Sequence, residues 1–308
     1  MSKTITVLIP AYNEETVLPN LFDRLEKVAN KQSKYVWEFL FVNDGSRDNS
    51  LKIIKERSKS DRRIHYIDLA RNYGKEIAMI AGIDNVKSDA LVIIDADLQD
   101  PPELIPEMIK YWEEGYDDVY ARRNTRAGES WLKKFTSTMY YKILQRTANV
   151  PIQCDTGDFR LLDKKCIKAL QQIRETNRNT KALFSWIGYR KKEIYYDRDS
   201  RAAGSTKYDY RQLINLAVDG ILSFTIAPLR IATFVGFIIS FATVVYIIVI
   251  ILQTIFNINY QPGYPSMMAV ILFLGGAQLL SVGIIGEYIG RIFIETKKRP
   301  LYFIQDKK

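Results

Sequence analysis

The feature that most constrains this 308-residue chain is a pair of uncharged runs near its C-terminal end, Ile231–Phe256 and Pro265–Gly286. A helix needs roughly 20 predominantly apolar residues to cross the hydrocarbon core of a bilayer, and each run is near or above that length. One such run alone is compatible with the buried helix of a soluble protein. Two of them, joined by the short Asn257–Tyr264 connection with Pro262 and Gly263, read as a transmembrane hairpin. Arg230, Arg291, Lys297, Lys298, Arg299, Lys307 and Lys308 lie outside the hairpin ends, whereas the connection carries no Lys or Arg. Basic residues stay on the cytoplasmic face. Residues 1–227 and a basic tail, 291–308, are therefore expected in the cytoplasm, with the hairpin (228–290, spans about 231–256 and 265–288) in the inner membrane.

Residues 1–227 are dense in charge and carry a different pattern. Short apolar runs, Thr4–Ile9, Glu38–Val42, Ile64–Asp68, Ala90–Ile94 and Asp118–Ala121, alternate with segments of helical spacing, Thr16–Ala29, Ser46–Ser58, Lys75–Asp84 and Glu103–Glu114. Ser46 is expected to cap the second of these helices. The alternation predicts an α/β domain with a mostly parallel sheet covered by helices. Sheets of this kind bind ligands beyond the carboxyl ends of their strands. There the sequence keeps its polar clusters: PAYNEE after the first strand, NDGS after the second and DADLQD after the fourth. Two later segments, Glu129–Thr147 and Tyr210–Phe224, are amphipathic and are expected at the membrane interface; helices covering a core are the alternative. The opening MSKTITVLIPAYNEE has too short an apolar stretch, broken by Pro10, for a signal peptide.

Composition narrows the chemistry. His65 is the one histidine, and Cys154 and Cys166 lack metal-site spacing, so both cysteines read as packing residues. Catalysis must rest on carboxylates, Lys, Arg and backbone groups. The net charge of +9 suits anionic lipid and phosphorylated substrates; no recognition motif accompanies it, which argues against nucleic acid. Asp95 and Asp97 are two apart at the end of an apolar run, so in extended backbone they aim at one ion. Carboxylates in this arrangement suit Mg²⁺ or Mn²⁺ held together with substrate phosphates.

The motifs IPAYNEE (9–15), VNDGSRDNS (42–50), DADLQDPPE (95–103), TGDFRL (156–161) and RAAGSTK (201–207), in this order, resemble the family 2 glycosyltransferases of GT-A fold. More narrowly they are similar to the polyisoprenyl-phosphate glycosyltransferases, and the paired C-terminal helices resemble those of the bactoprenol (undecaprenyl-phosphate) glucosyltransferases. The resemblance implies a Rossmann-like GT-A domain whose Pro10, Ala11, Tyr12 and Glu14 border the nucleotide, with Asp44 on the base. It implies that Asp95, Asp97 and Gln99 hold Mg²⁺ or Mn²⁺ on the donor diphosphate, and that Arg122, Arg201 and Lys207 offset its charge. Asp158 would be the counterpart of the family's general base; it would instead orient a sugar hydroxyl, or the acceptor phosphate through Arg160, if the lipid phosphate attacks unaided. The donor implied is UDP-glucose, with UDP-N-acetylglucosamine, a modified pentose donor and GDP-mannose left open. The acceptor implied is a polyprenyl phosphate in the bilayer.

Other classes lack their motifs. No G-x-G-x-x-G follows the first strand and no G-x-x-x-x-G-K-[ST] occurs, which argues against a dinucleotide oxidoreductase and a P-loop NTPase. The Q-x-x-R-W segment of processive polysaccharide synthases is absent. A membrane scaffold with a degenerate nucleotide domain is the remaining alternative, opposed by the intact D-x-D and RAAGSTK. Gly275, Gly276, Ala277, Gly283 and Gly286 would permit close helix contacts, within the hairpin or in a homo-oligomer.

Overall fold

In the first strand, Ile5, Val7 and Ile9 enter one core cluster while Leu8 enters the other, and all four are fully buried. A strand covered on both faces needs a near-continuous apolar run rather than an alternating one, which is what ITVLI supplies. The computed structural model describes residues 2–124, 156–176, 180–197, 227–256 and 263–308. Its elements are β1 (Thr4–Ala11), α1 (Leu18–Lys31), β2 (Val36–Asn43), α2 (Ser50–Ser60), β3 (Ile64–Leu69), α3 (Lys75–Asn85), β4 (Ala90–Ile93), α4 (Ile105–Glu113), β5 (Asp118–Arg123) and β6 (Thr156–Asp163). They continue with α5 (Lys164–Gln172), α6 (Thr180–Trp186), β7 (Lys191–Tyr196), α7 (Ala227–Ile255), α8 (Tyr264–Thr296) and β8 (Ile304–Lys307).

The strands form one sheet in the order β7-β5-β6-β4-β1-β2-β3-β8. β3, β2, β1 and β4 run parallel, as the alternation of short strands and helices predicts, and β5 pairs with β7 in parallel. β6 is inserted between β4 and β5 and runs against both. α1 and α4 cover one face; α3 and α5 cover the other. α3 lies so close to the sheet that a Cβ at Gly82 would sit 2.2 Å from the Leu8 Cδ1, so only a glycine fits there without repacking Leu8.

Two expectations are corrected. Ser46 does not cap α2, which begins at Ser50: the Ser46 hydroxyl accepts a hydrogen bond from the Asn13 amide (3.0 Å), the N-cap is Asn49 without a side-chain capping bond, and Asp48 accepts from the Ser50 amide (3.0 Å). β4 ends at Ile93, so Asp95 and Asp97 follow the strand rather than extend it. The last residues of the described chain form β8, antiparallel to β3 at the sheet edge. The Lys55 ammonium and the Tyr66 hydroxyl both donate to Asp306 of this strand, at 2.6 and 2.9 Å. The interface segments expected at 129–147 and 210–224 lie outside the described residues, as does Cys154; Cys166 is buried in the core.

Among the described residues two helices, α7 and α8, are long and apolar enough to cross a bilayer. Their apolar side chains, among them Phe234, Phe237, Phe241, Leu279 and Leu280, point away from the protein. The 33 residues of α8 make a rod of about 50 Å, against a hydrocarbon core of about 30 Å. Its C-terminal end reaches the α/β domain, where Glu295 accepts from the Thr176 amide at 2.7 Å, and β8 follows within the next turn of chain.

Ending the chain at Pro300 strips β3 of its outer partner. The Ala70 amide, which donates to the Phe303 carbonyl at 2.9 Å, is then expected to lose protection in hydrogen exchange while amides of β1 keep theirs. Unchanged protection at Ala70 would show that the tail strand does not hold the edge.

Candidate active site

The carboxyl ends of β1, β2 and β4 lie side by side because parallel pairing sets Ala11 beside Asn43 and Leu8 beside Ile93. The loops that leave β1 and β2 are tied together. The Asn13, Glu14 and Glu15 amides donate to Ser46 (3.0 Å), Ser50 (2.8 Å) and Asp48 (3.1 Å), and the Arg47 amide donates back to Asn13 (2.8 Å). Pro10 and Tyr12 are half-buried beside this junction, and Ala11 is buried.

Asp44, 3% exposed, points into the next loop, where its two oxygens accept from the Tyr73 amide (2.7 Å) and the Gly74 amide (2.9 Å). Burial pushes its pKa above the ordinary carboxylate value, against the two backbone hydrogen bonds and the Arg71 guanidinium. The loops touch at Gly45, which has φ +65° and where a Cβ would lie 2.6 Å from the Arg71 carbonyl carbon and the Asn72 nitrogen. Asp44 and Gly45 thus fix where α3 starts, and the first residue of α3 is Lys75.

Lys75 is the centre of the site and is the residue the sequence reading misses. Ile93 of β4 stands opposite Arg160 of β6; continuing that antiparallel register two residues past the strand end brings Asp95 opposite Asp158. Two carboxylates placed face to face repel each other unless a cation joins them. The Lys75 ammonium does so, 2.6 Å from an Asp95 oxygen and 2.5 Å from an Asp158 oxygen. Burial of the ammonium opposes its charge, but the two aspartates outweigh it and raise its pKa above the ordinary lysine value. The lysine side chain is nonetheless 42% exposed, so the tip is enclosed by carboxylates while the stem borders solvent.

Asp97 lies in the turn after β4, where it accepts from the Gln99 amide at 3.2 Å, and Leu98 takes φ +58°. Asp95, Asp97 and Gln99 are half-buried, whereas Ala96, Leu98 and Asp100 are buried. The two-residue parity expected of a strand therefore survives into the turn. Asp100 faces the interior and accepts a short hydrogen bond from the Tyr196 hydroxyl of β7. Among the described residues no three His, Cys, Asp or Glu side chains gather into a self-sufficient metal cage. The donor set fits a hard divalent cation that is completed by substrate oxygens, and the observation behind this is that Asp95 already holds a cation, the ammonium of Lys75.

The remaining predicted residues are placed as follows. Arg122 lies one residue before the end of β5, with its guanidinium 3.1 Å from Glu193 of β7. Arg160, fully buried, pairs at 3.1 Å with the equally buried Asp118 and stacks over the Phe184 ring at 3.8 Å. It serves the interior of the sheet, so Asp158 cannot act on an acceptor through it. Arg201 and Lys207 lie outside the described residues.

Sequence comparison bears on the whole chain. The profile of glycosyl transferase family 2 matches residues 6–171, and that of the GtrB C-terminal hairpin matches residues 227–292. An uncharacterised glycosyltransferase of Synechocystis sp. is 48% identical over 99% of this chain and 96% of its own length. A prophage bactoprenol glucosyl transferase homologue of Escherichia coli is 40% identical, and the bactoprenol glucosyl transferase of Shigella phage SfX is 39% identical, each over 99% of both chains.

Two substitutions test this construction. Gly45→Ala combines a disfavoured φ with overlap against backbone and is expected to cost about 3 kcal/mol in denaturant unfolding. Asp118→Ala leaves the Arg160 guanidinium buried without its carboxylate and is expected to cost about 3–5 kcal/mol in the same measurement. A change below about 0.5 kcal/mol, typical of surface sites, would contradict either assignment.

Proposed function

The chain belongs to glycosyl transferase family 2, and on that premise we propose that it moves glucose from UDP-glucose onto a polyprenyl phosphate at the cytoplasmic face of the inner membrane. The observation that carries this reading is the identity of about 40% to proteins named bactoprenol glucosyl transferase, which spans the catalytic segment and the hairpin alike. The apolar helices α7 and α8 support membrane anchoring, and the basic flanks support a cytoplasmic catalytic portion, residues 1–227.

In this reading the joined loops of β1 and β2, with Pro10, Ala11, Tyr12, Glu14 and Asp44, form the rim on which the nucleotide lies. Asp44 acts there mainly through the loop it holds, since its oxygens already accept the Tyr73 and Gly74 amides. Asp95, Asp97 and Gln99 would hold Mg²⁺ or Mn²⁺, which supplies charge neutralisation for the departing diphosphate. Arg122, Arg201 and Lys207 add fixed positive charge at the same phosphates, a stabilisation that grows as the glycosidic bond breaks. Arg122 would have to exchange Glu193 for phosphate to do so.

The acceptor phosphate is an anion and a competent nucleophile near neutral pH, so it needs orientation more than deprotonation. Asp158, with one oxygen engaged by Lys75, is suited to orienting the sugar or the acceptor. In-line attack by the phosphate on the anomeric carbon inverts its configuration. The hairpin holds the isoprenoid tail's environment beside the site, so that the acceptor reaches the donor without leaving the bilayer.

Asp97→Ala should keep the fold and membrane insertion but lose transfer to undecaprenyl phosphate by a factor on the order of 100 or more, as does removal of a central charge-stabilising group elsewhere. Excess EDTA should abolish transfer by the unaltered protein, and Mg²⁺ or Mn²⁺ should restore it. Full activity in the variant or in EDTA would overturn the metal assignment.

A further inference from the structure

We propose that Lys75 is the resident counter-ion of the cation site: its ammonium holds the place on Asp95 that the divalent cation takes, and it stays on Asp158 once displaced. The inference rests on the metal reading above and assigns a positioning role to a residue outside the recognised motifs.

Three observations carry it. First, one carboxylate follows β4 and the other lies in β6, and the ammonium bridges them at 2.6 and 2.5 Å. Without a positive charge between them, ionised Asp95 and Asp158 would be driven apart. Second, the base of Lys75 is fixed while its stem borders solvent. The backbone just before it is gripped by the buried Asp44 through the Tyr73 and Gly74 amides, and the 42% exposure of the side chain leaves the stem room to swing once a metal ion displaces the ammonium from Asp95. Third, cations on neighbouring strands are already committed, Arg122 to Glu193 and Arg160 to Asp118. Among the described residues, Lys75 is therefore the cation against which an incoming metal ion competes for Asp95.

Opposite effects on two quantities follow. A neutral side chain at position 75 removes the competitor and leaves the site one charge more negative, so a divalent cation binds more tightly. The same change leaves Asp158 without the group that holds it in place, so sugar transfer slows even when metal saturates. A residue that merely supports the loop would weaken both together.

The test uses the full-length protein in detergent micelles. Mn²⁺ is titrated without donor and free Mn²⁺ is read by electron paramagnetic resonance, for the unaltered protein and for Lys75→Met, Lys75→Gln, Lys75→Arg and Asp97→Ala. Lys75→Met and Lys75→Gln are expected to bind Mn²⁺ roughly five- to tenfold more tightly, the scale of losing one partly screened charge contact. Their transfer rate at saturating Mn²⁺ should fall, while Lys75→Arg should keep affinity and recover most of the rate. Unchanged or weaker Mn²⁺ binding in both neutral variants, with binding still lost in Asp97→Ala, would overturn the role of Lys75 and leave the metal reading standing. Equal binding by the unaltered protein and Asp97→Ala would overturn the metal reading and this inference with it.

Discussion

The antiparallel insertion of β6 against β4 is the constraint on which the rest of the site depends. Parallel strands alone gather the loops of β1, β2 and β4 at one edge, but they leave Asp95 facing open space. The pairing of Ile93 with Arg160 brings a second acid, Asp158, to the same level and creates a charge conflict that the fold must answer. The answer is Lys75, presented by the first turn of α3 and set in place by Asp44 through its grip on the preceding loop. Gly45 permits the two loops to meet, and the buried Asp118–Arg160 pair anchors β6 to β5 beneath the site.

Much of this is legible in the sequence and some of it is not, for physical reasons. The parallel core strands announce themselves as apolar runs, and the polar clusters at their ends follow from the rule that open sheets bind ligands there. The parity of Asp95, Asp97 and Gln99 against Asp100 is readable because burial alternates along extended backbone, and it persists although β4 ends at Ile93. Lys75 is not readable. Its partners are 20 and 83 residues away, and the second contact exists only because β6 enters the sheet out of chain order. Ser46 misleads for a related reason: a serine before a helical pattern resembles a cap, but its hydroxyl is taken by the Asn13 amide of another loop. The basic tail forms an edge strand, which pairs through its backbone and tolerates charged side chains.

The hairpin and the α/β domain are connected by more than the chain. α8 is longer than a bilayer core is thick, and its far end meets Thr176 through Glu295 before the chain returns as β8 on the outer edge of the sheet. The last strand of the chain therefore belongs to the same sheet as the first, with the apolar helices between them. In the proposed reading, this arrangement would tie the site to the helices that anchor it beside a membrane-bound acceptor.

The most direct measurement of the central claim is a donor panel with purified full-length protein in liposomes that contain undecaprenyl phosphate. Radiolabelled UDP-glucose, UDP-N-acetylglucosamine and GDP-mannose would be supplied in turn with Mg²⁺ or Mn²⁺, and label would be followed into the lipid fraction. The account predicts that glucose enters the lipid fraction only when the lipid phosphate is present, and that it does so with inverted anomeric configuration. Label that appears solely as free sugar or soluble polymer, or fails to enter lipid from any donor, would contradict it.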